Sequence, residues 1–89
     1  MIIEFDPAKS DKNERERGLP FTLVDEFDWE TARLGMDRRR DYGEPRFKAL
    51  GYIMGRLHVV IFTRRLGGIR IISLRKANRR EERDYEEAR

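Results

Sequence analysis

Three apolar segments that follow one another with almost no chain between them constrain the fold most. They are "RFKALGYIM" (46–54), "LHVVIFT" (57–63) and "IRIISLR" (69–75), all rich in β-branched and aromatic residues, a composition that favours strands. The connections "GR" (55–56) and "RRLGG" (64–68) are too short for a helical crossover, so neighbouring strands must be antiparallel. The sequence therefore predicts a β-meander, to which "TARLGMD" (31–37) can add a fourth strand.

The segments before the meander predict one strand and two helices. "MIIEF" is typical of a strand, and a polar helix should begin at Asp6 and Pro7 and end at Gly18. "FTLVDEFDW" (21–29) predicts a short second helix with Thr22 as its N-cap. "RRRDYGEP" (38–45) predicts a polar turn.

After the meander, Asn78 and Glu81 have the spacing of a capping box and predict the start of a C-terminal helix. This helix has almost no apolar stripe, so we expect it to be weakly held. The expected architecture is α+β in a single domain over residues 1–89. An N-terminal strand and two helices precede an antiparallel meander, and a helix ends the chain.

The composition excludes several classes of site. With no cysteine and one histidine, the chain cannot form disulfides or a zinc centre. Carboxylates could in principle hold magnesium, but the acidic residues cluster at the two ends of the chain and are typical of helix surfaces, so we expect neither a metal nor another cofactor. We also expect no signal peptide, no membrane span and no membrane partner. A cytoplasmic location is the default for such a chain.

The charge is unevenly distributed along the chain. Residues 31–80 hold 14 basic and 3 acidic residues, whereas residues 1–30 hold 4 basic and 9 acidic ones. Twelve of those 14 cations are arginines, whose planar fork of donors matches phosphate. A solvated basic sheet surface is the simpler interpretation, but the size of the excess favours a polyanionic partner.

Four cations lie where a helix begins: Arg75, Lys76, Arg79 and Arg80. Cations at a helix N-terminus oppose the helix dipole, whereas anions bind well there. The pattern therefore predicts a phosphate site at this junction. Strand alternation adds a further expectation, that Ile69, Ile71, Ser73 and Arg75 share one face and Arg70, Ile72 and Leu74 share the other.

Other charged and titratable side chains allow more than one interpretation. Arg65 and Arg70 flank the "LGG" turn and can approach each other, although Arg70 could instead pair with Glu4. His58 is most simply a packed core residue. Tyr85 could be a general acid, a base-stacking platform or, as we favour, a core anchor.

Three blocks of sequence, taken in order, span nearly the whole chain: "FDPAKSDKNERERGLPF" (5–21), "YGEPRFKALGYIMGRLHVVIFTRR" (42–65) and "IRIISLRKANRREERDY" (69–85). Together they resemble the BrnT family of toxins from bacterial type II toxin–antitoxin systems. The resemblance implies a RelE-like fold and a ribonuclease that needs neither a metal nor the ribosome. It also implies a cognate ribbon-helix-helix antitoxin (BrnA-like), through which the complex would reach operator DNA.

The resemblance also implies the functional residues. By position, the catalytic candidates are Lys9, Arg65, Arg70, Arg75, Glu81 and Tyr85. Candidates for binding RNA phosphate are Arg64, a neighbour of Arg65, and the junction cations Lys76, Arg79 and Arg80. This chain departs from the family pattern at one point, where Arg17 and not a histidine precedes Gly18. Because of that departure, a further interpretation is that the chain is a toxin that has lost catalysis and only binds its antitoxin.

Metal-free RNA cleavage commonly begins with attack of the 2′-OH on the adjacent phosphate. Arginines can stabilise the charge that develops there. Lys9, His58, Glu81 and Tyr85 are the titratable residues that could move the protons, and the sequence does not assign base and acid among them. The alternative function is a nucleic-acid-binding module that holds RNA or DNA without cutting it.

Overall fold

A five-stranded mixed sheet is the centre of the fold in the computed structural model, which describes residues 1–88. Its strands are β1 (Ile2–Glu4), β2 (Arg33–Met36), β3 (Phe47–Ile53), β4 (Arg56–Arg65) and β5 (Gly68–Lys76). They lie in the order β1-β5-β4-β3-β2. The antiparallel meander from β2 to β5 confirms the prediction. β1 adds to β5 in parallel, so the whole sheet is mixed.

Three helical segments accompany the sheet: α1 (Pro7–Arg17), a 3-10 helix (Phe21–Glu26) and α2 (Arg79–Glu87). The α+β class is as expected. α1 begins with the Asp6 carboxylate accepting a hydrogen bond from the Ala8 N–H at 2.9 Å, and it ends at Gly18 with φ of 72°. None of the helices in the described chain is long and apolar enough to cross a bilayer.

The second helix begins earlier than predicted and has 3-10 geometry. It is a 3-10 helix preceded by Pro20, which provides no side-chain cap, so Thr22 is not its N-cap. Phe21, Val24 and Phe27 are buried at a spacing of three residues. The 3-10 geometry aligns residues i and i+3 on one side, which explains why this spacing favours it over an α-helix.

The hairpin between β3 and β4 turns one residue earlier than predicted. Met54 and Gly55 form the turn with φ of 47° and 80°, and Arg56 already pairs with Ile53. Positive φ at both central positions is the type I′ geometry that matches the twist of a tight hairpin. Gly55 adopts it without the strain that a side chain adds.

The sheet has one core on each face. α1 and the 3-10 helix lie with the larger core, which contains Phe21, Val24, Val60, Phe62 and Ile71. α2 covers a smaller core of Leu57, Val59, Ile61, Ala77 and Tyr85 on what we call the α2 face.

A β-bulge in β5 decides which side chains point to the α2 face. Ile61 pairs with Ser73 and Phe62 pairs with Ile71, so Ile72 is an extra residue in β5. Arg75 lies opposite Val59 and therefore shares the α2 face. The predicted grouping of Arg75 with Ile69 and Ile71 is wrong, because simple alternation does not anticipate a bulge.

α1 lies along the part of the β5 edge that β1 leaves uncovered. β1 pairs only with Gly68–Arg70 of β5. Farther along, Asn13 Nδ2 donates hydrogen bonds to the carbonyl oxygens of Leu19 at 2.7 Å and Leu74 at 2.9 Å. This contact brings Arg17, at the end of α1, to the edge of the α2 face, where its Nη1 is 3.4 Å from the Leu74 oxygen.

Candidate functional site

A pocket of about 290 Å³ opens on the α2 face next to the start of α2. Five of its side chains are cationic and come from α1, β3, β5 and the segment after β2. Its lining residues are Arg17, Met36, Asp37, Arg38, Arg39, Lys48, Ile61, Ser73 and Arg75. Because Asp37 is its one acidic lining residue, this part of the described chain has a strong local excess of positive charge.

Glu81 holds two of these cations in place. Its Oε1 and Oε2 accept hydrogen bonds from Arg75 Nη1 and Nη2 at 2.7 and 2.9 Å, and Lys48 Nζ lies 2.7 Å from Oε2. The Asn78 N–H also donates to Oε1 at 2.9 Å, which completes the predicted capping box. These contacts, with Arg75 foremost, lower the pKa of Glu81 to about 2.

The anion next to the first turn of α2 is therefore the carboxylate of Glu81. This is the junction at which the arginine pattern predicts phosphate. Arg75 lies there on β5, whereas Arg79 and Arg80 are exposed in the first turn of α2. A phosphate reaching Arg75 thus meets a guanidinium already oriented by a carboxylate.

Asp37 orients Arg39 in the same way that Glu81 orients Arg75. Arg39 Nε and Nη2 donate to Asp37 Oδ1 and Oδ2, each at 2.8 Å, and the Tyr42 hydroxyl donates to Oδ2 at 3.3 Å. The Asp37 side chain is 3% exposed and that of Arg39 is 72% exposed. Chiefly because of the hydrogen bonds from Arg39, the pKa of Asp37 falls to about 2.

A second pocket of about 480 Å³ continues the first one along the α2 face. The two share Arg17, Arg39, Ile61 and Ser73. The second pocket adds Arg40, Tyr42, Arg46 and Ile72. We call the two pockets together the cationic groove.

Arg65 and Arg70 lie at the hairpin end of β4 and β5, away from Arg75. Arg65 Nε and Arg70 Nη1 approach the same Glu4 oxygen at 3.7 and 3.3 Å, so the two arginines meet across the hairpin as expected. Arg65 also contacts Glu44 at 3.3 Å. The ion pair of Arg70 with Glu4, the alternative interpretation, is thus observed. Five residues, roughly 16 Å of strand, separate Arg70 from Arg75.

Several sequence candidates lie outside the cationic groove. The Arg64 guanidinium is 5.0 Å from the ring of Phe47, a residue that packs against the larger core, and Lys76 pairs with His58 across β4 and β5. Lys9 is exposed on α1. The structure therefore does not bring Lys9, Arg64 or Lys76 together with Arg75.

His58 is a packed residue, as the simplest interpretation predicts. It is 4% exposed, and its Nδ1 lies 2.7 Å from the Arg56 carbonyl oxygen, so Nδ1 carries the proton that is donated there. Burial lowers its pKa. It shares its strand face with Val60 and Phe62 of the larger core, the face opposite to the cationic groove.

Tyr85 anchors α2, which is the interpretation that the sequence favours. It is 4% exposed, and its hydroxyl donates to the Thr31 carbonyl oxygen at 2.9 Å. Its ring packs edge-on against Tyr52 with centroids 5.4 Å apart. The hydroxyl thus joins α2 to the chain just before β2.

Sequence reasoning did not select Asp37, Arg38, Arg39 or Lys48 as site residues. The run of three arginines directly after Asp37 was a usable signal, because an acid beside an arginine run often orients it. Lys48 had a weaker signal, being a cation inside an apolar strand. Within residues 1–88 there is no group of three or more histidine and acidic side chains arranged to hold a metal ion.

Comparison with known proteins identifies the family. A family model described as "Ribonuclease toxin, BrnT, of type II toxin-antitoxin system" matches residues 5–81. No match was found among curated proteins or among solved structures. The matched part includes α1, the complete meander, Arg75 and Glu81, whereas Tyr85 lies beyond it. Since the match spans most of the chain, this protein belongs to the BrnT family of ribonuclease toxins of type II toxin–antitoxin systems.

Proposed function

We propose that the cationic groove binds RNA and that the chain cleaves it without a metal ion or the ribosome. The observation that carries this proposal is the first pocket, where five cationic side chains converge. The carboxylates beside it, Asp37 and Glu81, are already paired with Arg39 and Arg75. The remaining positive charge favours an anionic ligand. Because the family is one of ribonuclease toxins, we take that ligand to be RNA.

The reaction is the attack of a ribose 2′-OH on its own 3′-phosphate. A bond forms between the 2′-oxygen and phosphorus, and the bond to the 5′-oxygen of the next nucleotide breaks. The products are a 2′,3′-cyclic phosphate and a 5′-OH, and the departing 5′-oxygen takes its proton from water. Arg17, Arg39 and Arg75 stabilise the charge that develops on the phosphorane, because ordered guanidiniums need no reorganisation at that moment.

Glu81 accepts the proton of the 2′-OH in this proposal. It contacts two side chains of the pocket, whereas His58 lies on the other face and the Tyr85 hydroxyl bonds to Thr31. A phosphate that binds Arg75 weakens the hold of that arginine on Glu81. The pKa of Glu81 then rises from about 2 toward its ordinary value, which makes the carboxylate a better base.

In this proposal, the phosphates on either side of the scissile phosphate contact basic side chains outside the pocket. Arg65 and Arg70 lie at one end of the α2 face, and exposed Arg79 and Arg80 lie at the start of α2. Each could take a phosphate of a strand that extends past the groove. Their contacts orient the strand without touching the scissile bond.

The family assignment supplies a cognate antitoxin as the partner. We propose that this antitoxin is a ribbon-helix-helix protein that inhibits the toxin and brings the complex to operator DNA. We also propose that the chain has a RelE-like fold and acts in the cytoplasm. The support for these finer statements is the resemblance in sequence over three blocks.

The experiment is cleavage of a labelled single-stranded RNA by the purified chain in EDTA. We expect cyclic-phosphate products, and at least about 100-fold slower cleavage by Arg75→Gln. Arg15→Gln is the matched control, because Arg15 is exposed on α1 and its loss removes the same charge. Products that need added magnesium, or equal rates for both variants, contradict the proposal.

A non-catalytic RNA-binding protein is the second candidate. It is favoured by the absence of a histidine from the groove, since the chain's one histidine, His58, lies on the opposite face. RNA that stays intact but binds in a salt-dependent manner would establish it. Growth arrest on expression without the antitoxin would argue for the ribonuclease instead.

A further inference from the structure

Residues 37–46 connect β2 to β3. The last five of them form the "YGEPR" motif (42–46), and the proposed chemistry uses none of these five residues. Tyr42 is half-buried in this segment. Its ring has the Arg46 guanidinium 4.0 Å from its centroid and the Arg40 guanidinium 5.1 Å from it. The ring and the two guanidiniums over it thus form one cation–π cluster, which we call the Tyr42 shelf.

The segment that carries the Tyr42 shelf is fixed at several points. The Asp37 N–H donates to the Arg46 carbonyl oxygen at 2.8 Å, which closes the base of the loop. The Tyr42 hydroxyl donates to the buried Asp37 carboxylate, and the Gly43 N–H donates to Asp41 Oδ1 at 2.9 Å. Gly43 has a φ of 77°, a conformation that glycine adopts readily. The shelf is therefore ordered before any ligand arrives.

The shelf lies directly beside the proposed phosphate pocket. Tyr42, Arg40 and Arg46 line the second pocket of the cationic groove, whose floor includes Ile61 and Ile72. Both pockets share Arg17, Arg39, Ile61 and Ser73. A phosphate held in the first pocket therefore has an adjoining, partly apolar space of about 480 Å³.

We propose that the Tyr42 shelf binds an unpaired nucleobase next to the phosphate held by Arg17, Arg39 and Arg75. Bases stack on aromatic rings and on arginine planes, and the apolar floor suits the flat face of a base. A base can reach the shelf only when it is not stacked inside a duplex, so the ligand is single-stranded RNA. This inference rests on the proposed RNA-binding role of the groove.

The test uses binding alone, so that it does not depend on cleavage. The probes are a labelled 2′-O-methyl oligouridine, which cannot react, and a strand of equal length whose nucleotides lack bases. The wild-type chain should bind the first strand roughly 5- to 150-fold more tightly than the second, the range expected for stacking. Tyr42→Leu should bind both strands with nearly equal Kd, whereas Tyr42→Phe, which keeps the ring, should discriminate like the wild type.

Salt dependence separates loss of the shelf from collapse of the loop. Tyr42→Leu should weaken binding of the oligouridine without changing the slope of log Kd against log salt, because no phosphate contact is removed. A changed slope would show that the arginines of the loop have moved. In that case the Kd values of the wild type for the two strands test the inference without any variant.

The outcomes distinguish this inference from the proposed function. Equal Kd of the wild type for the two strands overturns the shelf, even if RNA is cleaved in EDTA. Base-dependent binding that Tyr42→Leu removes supports the shelf, even if no cleavage occurs. Base-dependent binding that persists in a folded Tyr42→Leu variant places the base elsewhere and also overturns the inference.

Discussion

Glu81 and Asp37 each bind an arginine through both carboxylate oxygens, and these pairs orient the cations of the groove. Both have a pKa of about 2, so both are ionised throughout the neutral range. Their side chains are 10% and 3% exposed, whereas their arginine partners are 33% and 72% exposed. Each pair thus has a buried anion that positions a cation facing solvent.

The low pKa of Glu81 predicts how stability depends on pH. Because its folded pKa of about 2 lies below the ordinary value of 4.5, its stabilising effect is complete above about pH 4.5 and is lost as pH falls toward 2. Because the Arg75 side chain is partly exposed and screened by solvent, the pair should contribute less than the roughly 3 kcal/mol that the full shift would give. Glu81→Gln should therefore melt at a lower temperature at pH 7 and lose less stability than the wild type between pH 4.5 and 2.

Thermal melts of both proteins across that pH range provide the measurement. Asp37→Asn is the matched variant, since Asp37 has a similarly low pKa and belongs to the other pair. Wild-type and Glu81→Gln curves that stay parallel from pH 7 to pH 2 would show that the pair with Arg75 does not contribute to folding.

At this scale the sequence reveals the site only in part. Arg75 and Glu81 could be selected from their positions, and the capping box from its spacing alone. The pairing of Arg75 with Glu81 required a β-bulge at Ile72, and a bulge depends on how two strands pair and not on local composition. Lys48 joins the same carboxylate from β3, a contact between distant residues that no spacing rule reveals.

Among the elements, α2 has few attachments, as its sequence indicates. Its described buried residues are Glu81 at the first turn and Tyr85 one turn later. The capping box and the ion pair with Arg75 hold the first end, and the Tyr85 hydroxyl bond to Thr31 holds the other. α2 therefore depends on a small number of specific polar contacts and on one ring.

Tyr85→Phe tests this dependence. It removes one buried hydrogen bond and keeps the ring, so we expect a loss of about 1 kcal/mol in the free energy of unfolding. Backbone amides of α2 should exchange with deuterium correspondingly faster. Hydrogen exchange followed by mass spectrometry provides the measurement. Tyr42→Phe is the control, because it makes the same chemical change in a loop outside α2, and it should leave exchange in α2 unchanged.

An unchanged exchange rate in Tyr85→Phe would mean that the hydroxyl does not hold α2.

Protection of α2 against hydrogen exchange should also increase when RNA or the antitoxin binds, if weak attachment serves docking. Equal protection in the free and bound protein would contradict that hypothesis.

The elements that the sequence predicts well are those set by local chemistry. The caps of α1 and α2 and the short hairpins follow from single residues at fixed offsets. The parallel addition of β1 to β5 brings together residues more than 60 positions apart, and local patterns carry no information on it. The apolar pattern of residues 21–29 predicts a short helix but does not decide between 3-10 and α geometry, because both bury every third or fourth residue.

At the scale of the whole molecule, the uneven charge along the chain becomes an uneven charge in space. The chain has a net charge of only +3. Its cationic groove nevertheless gathers seven basic side chains from α1, β3, β5 and residues 37–46, at Arg17, Arg38, Arg39, Arg40, Arg46, Lys48 and Arg75. A polyanion should therefore bind in a manner that depends on local and not on net charge.

Salt dependence of RNA affinity tests this arrangement. The slope of log K against log salt for a single strand is about −0.7 per neutralised phosphate. Arg17→Gln should reduce the steepness by about that amount, because its guanidinium lines both pockets of the groove. Arg15→Gln, with the same change in net charge on the exposed side of the same helix, should leave the slope unchanged. Equal slopes for both variants would show that binding responds to net charge alone.

The concentration of positive charge could be anticipated from the sequence, whereas its location in the fold could not. The sequence directs attention to the start of α2 and to the hairpin between β4 and β5. In the structure, Arg65 and Arg70 share Glu4 at that hairpin, and residues 37–46, expected to be only a polar turn, form one wall of the groove. Tertiary packing brings that loop to the α2 face.

The carboxylate of Glu81 between Arg75 and Lys48 has a consequence for the choice among anions. A ligand that binds there exchanges with an internal carboxylate, so its net affinity is a difference between two similar charge-assisted interactions. A single small anion gains little from such an exchange. A strand whose successive phosphates meet several cations at once accumulates the gain over all of them. The protein should thus select its ligands by the length of the charged chain, and small anions in the surrounding solution should compete poorly.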